Sequence, residues 1–351
     1  MEKLLIHIIP TLENGGAETV LSRLSKELKT KGILQKVITI QGDDSNYHYS
    51  SIAKNCEVIH AKTDPTAVQQ IFKQFPHAKI IAWMYPAIFH AHRWKIRFQT
   101  QQPILWNIRR SHFPAKKKFQ RLALYFFGGY ARLKHIRVIY CAHQAQKAHR
   151  RFFFPKKNSV VIQNRWAKIM NTSQEQPAPE ARDYLLYVGR NHPAKGPDRL
   201  VRAAQRLLNE KPNLQLLIAG RDWHIDFFPS EIHNQVSVLG NVSHLVPLYT
   251  HAKGLLLTSY TEGYPNVLVE AAVCGTPIVS FPAGDASSIL ANYPHGHIAH
   301  NYEEFIQKVK HLLKHPPSAQ ERQKAAKRMQ KELDFSHTVR DYMEFIFDQA
   351  V

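Results

Sequence analysis

The sequence predicts an α/β protein made of two doubly wound parallel sheets. Apolar, strand-sized runs alternate with helical stretches in both halves, the pattern of successive βαβ units. A polar, Pro-containing stretch interrupts that alternation near the middle of the chain. At 351 residues there is enough chain for two domains with full cores.

The first strand is read over residues 3–10. Its apolar run is too short for a signal peptide and polar residues follow it. A helix with Val20, Leu21, Leu24 and Leu28 on one face ends near Gly32. Further strands are expected at 34–40, 57–59, 79–83, 104–108, 138–140 and 160–162. The N-terminal domain therefore covers 1–168, and 169–182 is a linker. A second alternation, over 183–335, has strands at 184–189, 214–219, 236–240, 254–258 and 276–281. A last helix from about Ser336 to Phe347, within 336–351, is expected to return to the first domain.

A hydrophobic content of 44% fits a soluble globular chain, and its longest apolar runs are too short to span a bilayer. Three distant cysteines, Cys56, Cys141 and Cys274, argue against a disulfide framework and for a reducing compartment. The net charge of +20 is unevenly placed. Residues 65–174 hold 21 Lys or Arg and no Asp or Glu, while the rest of the chain is nearly neutral. Such a single-sign field attracts anionic partners.

The chemistry concentrates in Ser259–Val279. The run Leu255-Leu256-Leu257 reads as a buried parallel strand. A helix is expected over about 266–274, stopped by Gly275 and Pro277. Glu262 falls in the preceding loop and Glu270 about two turns into the helix. Their spacing of eight puts them about 80° apart on a helical wheel. Two carboxylates so placed suit a ligand with many hydroxyls, and helix-start amides suit its phosphates. In the same half, Gly189-Arg190 and Lys195-Gly196 lie on one strand-to-helix loop. Arg forks phosphate oxygens and Lys supplies a point charge. Gly15-Gly16 closes the first strand-to-helix loop without the G-x-G-x-x-G pattern of a nicotinamide site.

Residues 262–279 closely resemble the E-x7-E signature of retaining glycosyltransferases of family 4, with its small-residue helix and Gly-Thr-Pro-Ile-Val exit. The Gly-Arg…Lys-Gly loop is similar to the loop whose cations hold the donor diphosphate in that family. The resemblance implies the GT-B fold, two Rossmann-like domains facing a cleft that closes over the donor. It implies that Glu270 accepts hydrogen bonds from the donor ribose and that Glu262 lies nearer the transferred sugar. Backbone groups of Gly263, Tyr264, Pro265, Asn266 and Val267 would surround sugar and phosphate, and Leu239 and Gly240 would lie by the base. Gly15 and Gly16 would face the diphosphate, with Gly189, Arg190 and Lys195 around it. For the N-terminal catalytic residue the candidates are His90, His92 and His112, with His112 favoured. Arg109 and Arg110 are expected on the acceptor side. Two places depart from the family pattern: Pro86, where some relatives carry His, and Ser288, where many carry Glu before the Ile.

The implied activity is a retaining, metal-independent transfer of sugar from a nucleotide diphosphate, with UDP the expected base, to a glycan or lipid-linked acceptor of the bacterial surface. No cofactor is implied and there is no Asp-x-Asp. A carboxylate base from residues 65–174 is excluded by composition. Lys116, Lys117, Lys118 and Arg121 open an aromatic segment that resembles an interfacial helix on anionic lipid. The expected place is the cytoplasm, at the inner face of the plasma membrane. The alternatives are a GT-B sugar phosphorylase or epimerase and a basic nucleic-acid-binding protein. A phosphorylase would need a pyridoxal-phosphate lysine site, and none is evident. A nucleic-acid binder would leave both loops without a purpose.

Overall fold

Strand β1 (Leu4–Ile9) is apolar on both faces because it lies inside a parallel sheet covered by helices on either side. The computed structural model describes residues 4–13, 15–109, 118–165 and 183–347, with only the backbone of 118–120. The chain divides into two compact units, residues 1–164 with 336–351 and residues 165–335. The stretch read as a linker, 169–182, lies outside the described residues.

In the first unit α1 (Gly16–Thr30), β2 (Leu34–Thr39), α2 (Tyr49–Ala53), β3 (Glu57–His60) and α3 (Pro65–Gln74) follow β1. Then come β4 (Lys79–Trp83), α4 (Met84–Arg97), β5 (Ile104–Ile108), α5 (Lys118–Leu133), β6 (Val138–Tyr140), α6 (His143–Arg150) and β7 (Ser159–Val161). The strands form one parallel sheet in the order β3-β2-β1-β4-β5-β6-β7.

The second unit contains β8 (Tyr184–Val188), α7 (Pro197–Glu210), β9 (Gln215–Ala219), β10 (Val236–Gly240), α8 (Val246–His251) and β11 (Gly254–Leu257). It continues with α9 (Asn266–Val273), β12 (Ile278–Ser280), α10 (Ala286–Leu290), β13 (Gly296–Ile298), α11 (Tyr302–Lys314) and α12 (Ala319–Glu332). Its sheet is also parallel, in the order β10-β9-β8-β11-β12-β13. Leu200, Leu207, Ile218, Phe281 and Phe305 belong to its core, with the last two rings stacked 4.7 Å apart.

The last helix, α13 (Phe335–Phe347), packs on the first unit. Tyr342 is fully buried there, stacks on Trp83, and its hydroxyl accepts from Asn107 Nδ2 at 2.8 Å. Two cations close its end: Lys79 Nζ donates to the Ile346 carbonyl at 2.6 Å and Arg137 to that of Phe345. Cations at a helix C-terminus offset its partial negative charge.

Strand order reverses between β1 and β4 in the first sheet and between β8 and β11 in the second. Ligands of open α/β sheets bind outside the strand C-termini at such switch points. His7 lies under the first, fully buried in β1. Its Nδ1 accepts from Trp83 Nε1 at 3.2 Å, and burial lowers its pKa from 6.5 to about 4. In the unfolded chain the same ring titrates near 6.5. Between these values the unfolded state binds more protons, so stability rises with pH and is lost as pH falls. Going from about pH 7 to about pH 5 therefore costs about 2 kcal/mol from His7 alone. Urea denaturation at both pH values checks this. The wild type should lose about 2 kcal/mol more than a His7→Gln variant, and equal losses would acquit His7.

Candidate active site

The loops after β8 and β11 flank the switch point of the second sheet. The first runs from Gly189 through a 3-10 turn, Pro193–Lys195, to Gly196 at the start of α7. His192 caps that turn, its Nδ1 accepting from Ala194 N at 3.1 Å. Ala194 and Lys195 then bond across to the second loop. The Ala194 carbonyl accepts from Tyr260 N at 2.9 Å, and Thr258 Oγ1 donates to the Lys195 carbonyl at 3.0 Å. Gly196 is left-handed at φ 63, and a Cβ there would stand 2.2 Å from the Thr258 carbonyl oxygen. Only glycine allows both that turn and that approach.

Side chains complete the join. Lys195 Nζ donates to Glu262 Oε1 at 2.6 Å, and Ser259 Oγ donates to the same oxygen at 2.7 Å. The Glu262 side chain is 10% exposed and that of Lys195 29%. Behind them, Gly284, at φ 58, lets the loop after β12 press against Gly263; a Cβ would meet the Gly263 carbonyl at 2.4 Å. Asp285 N donates to that carbonyl at 3.3 Å. Ser288 lies exposed on α10.

Glu262 precedes α9 by four residues, so it has no helical phase, and the expected 80° separation from Glu270 does not describe the site. Glu270 is the fifth residue of α9, just over one turn in rather than two. Tyr249, buried in α8, donates to Glu270 Oε2 at 2.9 Å. Burial and then the Glu270 charge hold the Tyr249 phenol far above its ordinary pKa, so it remains a donor. Burial and the same carboxylate push the Cys274 thiol up to about 12. A buried donor thus fixes the orientation of Glu270.

Arg190 is exposed in the first loop. Tyr264 and Pro265 are buried between Glu262 and α9, and Asn266 and Val267 form its first turn. Leu239 and Gly240 end β10, two strands away from β8, and the Gly240 carbonyl accepts from Gly220 N at 2.7 Å. Gly220 and Trp223 were not expected. A Cβ on Gly220 would meet the Gly189 carbonyl at 2.1 Å, and Trp223 Nε1 donates to that carbonyl at 2.8 Å. The one sequence signal was Ala219-Gly220 ending a strand.

In the first unit Gly15 caps α1, and Gly16 begins it. Glu18 folds back over Gly15, where a Cβ would lie 2.4 Å from its Oε2. Burial raises the Glu18 pKa, and the Arg109 charge opposes that rise. Arg109 Nη2 donates to Asn164 Oδ1 at 2.7 Å, while its Nη1 is buried with no hydrogen-bond partner among the described residues. Glu18 was also missed, although it follows Gly15-Gly16 closely.

A catalytic histidine was expected at a strand end. His90 and His92 instead sit inside α4, which begins at Met84 and takes in Pro86. His92 is a packing residue: Trp106 Nε1 donates to its Nε2 at 2.9 Å, and burial lowers its pKa to about 4. His90 packs on Phe89 and Trp94. Arg110, His112, Lys116 and Lys117 lie outside the described residues, as does the Lys118 side chain. Arg121 is exposed on α5.

Residues 169–329 match the family model described as glycosyl transferases group 1. That match takes in most of the second unit, residues 165–335. The D-inositol 3-phosphate glycosyltransferase of Mycolicibacterium smegmatis is 27% identical over 175 residues, 46% of this chain and 39% of that relative. Its counterpart from Segniliparus rotundus is 30% identical over 123 residues, 32% of this chain and 27% of the relative. The chain thus spans well under half the length of these curated relatives. Among solved structures, Anabaena HepE in complex with UDP aligns with a TM-score of 0.78 at 17% identity, over 99% of this chain and 100% of that one. WaaG, a glycosyltransferase involved in lipopolysaccharide biosynthesis, aligns with a TM-score of 0.71 at 14% identity, over 98% and 100%. The chain therefore has the GT-B fold.

The two cations of the second unit's first loop should differ in structural weight. Lys195→Met removes a partly buried charged hydrogen bond and should cost about 2 kcal/mol. Arg190→Ala, at an exposed position, should cost less than about 0.5 kcal/mol. Denaturant unfolding of both variants checks the contrast, and similar losses would contradict it.

Proposed function

We propose that the chain is a retaining, metal-independent glycosyltransferase of the family 4 type that uses a nucleotide-diphosphate sugar, with UDP as the carrier. The observation that carries this reading is the Lys195–Glu262 pair at the sheet switch point, with Glu270 oriented by Tyr249 on the following helix. In this reading Glu270 accepts from the donor ribose, and Lys195 and Arg190 hold the diphosphate as charge develops on it. Glu262 meets the transferred sugar. The sugar–phosphate bond breaks, the acceptor oxygen bonds the anomeric carbon on the same face, and the departing phosphate takes the acceptor proton. The cationic loop supplies the charge stabilisation that a divalent ion supplies elsewhere. UDP is favoured because HepE is described in complex with UDP and with UDP-glucose.

The acceptor reading is a glycan or lipid-linked glycan of the bacterial surface, bound on the first unit near Gly15, Gly16 and Arg109. WaaG, by its description, serves lipopolysaccharide biosynthesis. Peripheral attachment at the inner face of the plasma membrane belongs to the same reading. Among the described residues no helix is long and apolar enough to cross a membrane. On α5, however, Leu122, Phe126 and Leu133 are 67%, 73% and 80% exposed. At 100° per residue they fall within about 40° of one another, so one helix face offers an apolar stripe beside Arg121 and Arg132.

Calorimetric titration with UDP, GDP and ADP tests the donor site. Saturable binding of UDP, weakened at least a hundredfold in Glu270→Ala, is expected, because two charge-assisted hydrogen bonds are lost at about 1.5–3 kcal/mol each. Glu270→Gln, which can still accept from Tyr249, separates lost recognition from lost packing. UDP binding equally well to all three proteins would sink the reading. For the membrane, Phe126→Asp should lower co-sedimentation with anionic vesicles at least tenfold, while equal partition would remove α5 from the attachment.

A further inference from the structure

Tyr184, Tyr249 and Tyr293 are buried in the second unit, and each hydroxyl is bonded. They donate to the Leu248 carbonyl at 2.8 Å, to Glu270 Oε2 at 2.9 Å and to the Thr276 carbonyl at 2.8 Å. Tyr187 differs. It is 1% exposed on β8, and its hydroxyl is buried with no hydrogen-bond partner among the described residues. A buried hydroxyl without a bond destabilises the fold, and phenylalanine would fill the same space without that cost.

The hydroxyl lies at the root of the first loop. β8 ends at Val188, and a Cβ on Gly189 would stand 3.1 Å from the Tyr187 oxygen. The Trp223 ring meets that of Tyr187 edge-on at 5.5 Å, while its own Nε1 donates to the Gly189 carbonyl. Tyr187 therefore presents an uncommitted donor beneath the loop that carries Lys195. Burial and then the Glu262 charge raise its pKa, so the phenol stays protonated and lies within the field of that carboxylate. In this structure Glu262 Oε1 accepts from Lys195 Nζ at 2.6 Å and from Ser259 Oγ at 2.7 Å.

We infer that Tyr187 is a positioning residue for Glu262, its hydroxyl donating to that carboxylate when the donor diphosphate draws Lys195 away. The inference deepens the donor-site reading above and rests on it. A diphosphate that takes the Lys195 ammonium removes a charged hydrogen bond from a side chain only 10% exposed. Hydrogen bonds to an ionised group are roughly twice as strong as neutral ones, so a further donor close by offsets much of that loss. A turn of the Glu262 side chain toward β8 reaches it. Glu262 is then held for the transferred sugar instead of following the lysine. The unbonded hydroxyl of the resting protein is the local cost of that arrangement, of the kind that functional sites carry.

Calorimetric titration of Tyr187→Phe with UDP, at one fixed salt concentration, tests this. Phenylalanine keeps the ring against Trp223 and removes only the oxygen. The free variant should unfold at the wild-type temperature or above it, because no partner is left behind. Its UDP affinity should fall at least fivefold, the loss of one hydrogen bond to a charged acceptor. In a Glu262→Ala background the same substitution should change UDP affinity by less than twofold, because no carboxylate remains to receive the bond. A thermal midpoint lowered by more than about 3 °C would make Tyr187 a packing residue and overturn the inference. UDP affinity within twofold of the wild type would overturn it too, as would an equal loss with and without the Glu262 carboxylate. Those results leave the donor-site reading intact as long as the wild type binds UDP. A wild type that does not bind UDP sinks that reading and this inference together.

Discussion

The second unit depends on one ion pair. Lys195 and Glu262 come from the loops on either side of the switch point and meet at 2.6 Å. Partly buried charges are costly unless matched, so the pair holds both loops in a single arrangement. Gly196 and Gly284 allow the backbones to approach closely enough for the side chains to reach. The carboxylate thereby serves as the counter-charge of a lysine aimed at the place where strand order reverses. In the proposed function, an incoming diphosphate replaces that counter-charge without rebuilding the loops.

The first unit solves the opposite problem. Over 65–174 its cations have no local carboxylate to meet. Backbone carbonyls meet some of them: Lys79 bonds to Ile346, Lys95 to Gln102 and Arg137 to Phe345. Two of these three bonds fasten α13, so the positive field also ties the end of the chain to the first sheet.

Continuous apolar runs made the central strands legible, because a parallel sheet covered on both faces leaves no polar alternation. β13, Gly296–Ile298, was missed because three residues beginning Gly-His carry no such run. The Glu-Gly-x-Pro loop and the Gly-Arg…Lys-Gly loop were readable as motifs. The bond between them was not, since Lys195 and Glu262 are 67 residues apart. Helical phase misplaced Glu262 against Glu270, because the formula for a continuous helix was applied across a loop. Tyr249 acts through a tertiary contact that leaves no local pattern. His92 looked like a candidate only because histidine has two unrelated uses, and the Trp106 and Tyr130 rings decide between them.

The central claim is that Lys195 carries charge meant for the donor and that Glu262 neutralises it meanwhile. The most direct test is the UDP affinity of Lys195→Met and Glu262→Gln against the wild type, at one fixed salt concentration. The account predicts opposite responses: at least a tenfold loss for Lys195→Met, and unchanged or tighter binding for Glu262→Gln, whose carboxylate no longer competes. Wild-type affinity in Lys195→Met, or equal losses in both variants, would contradict it.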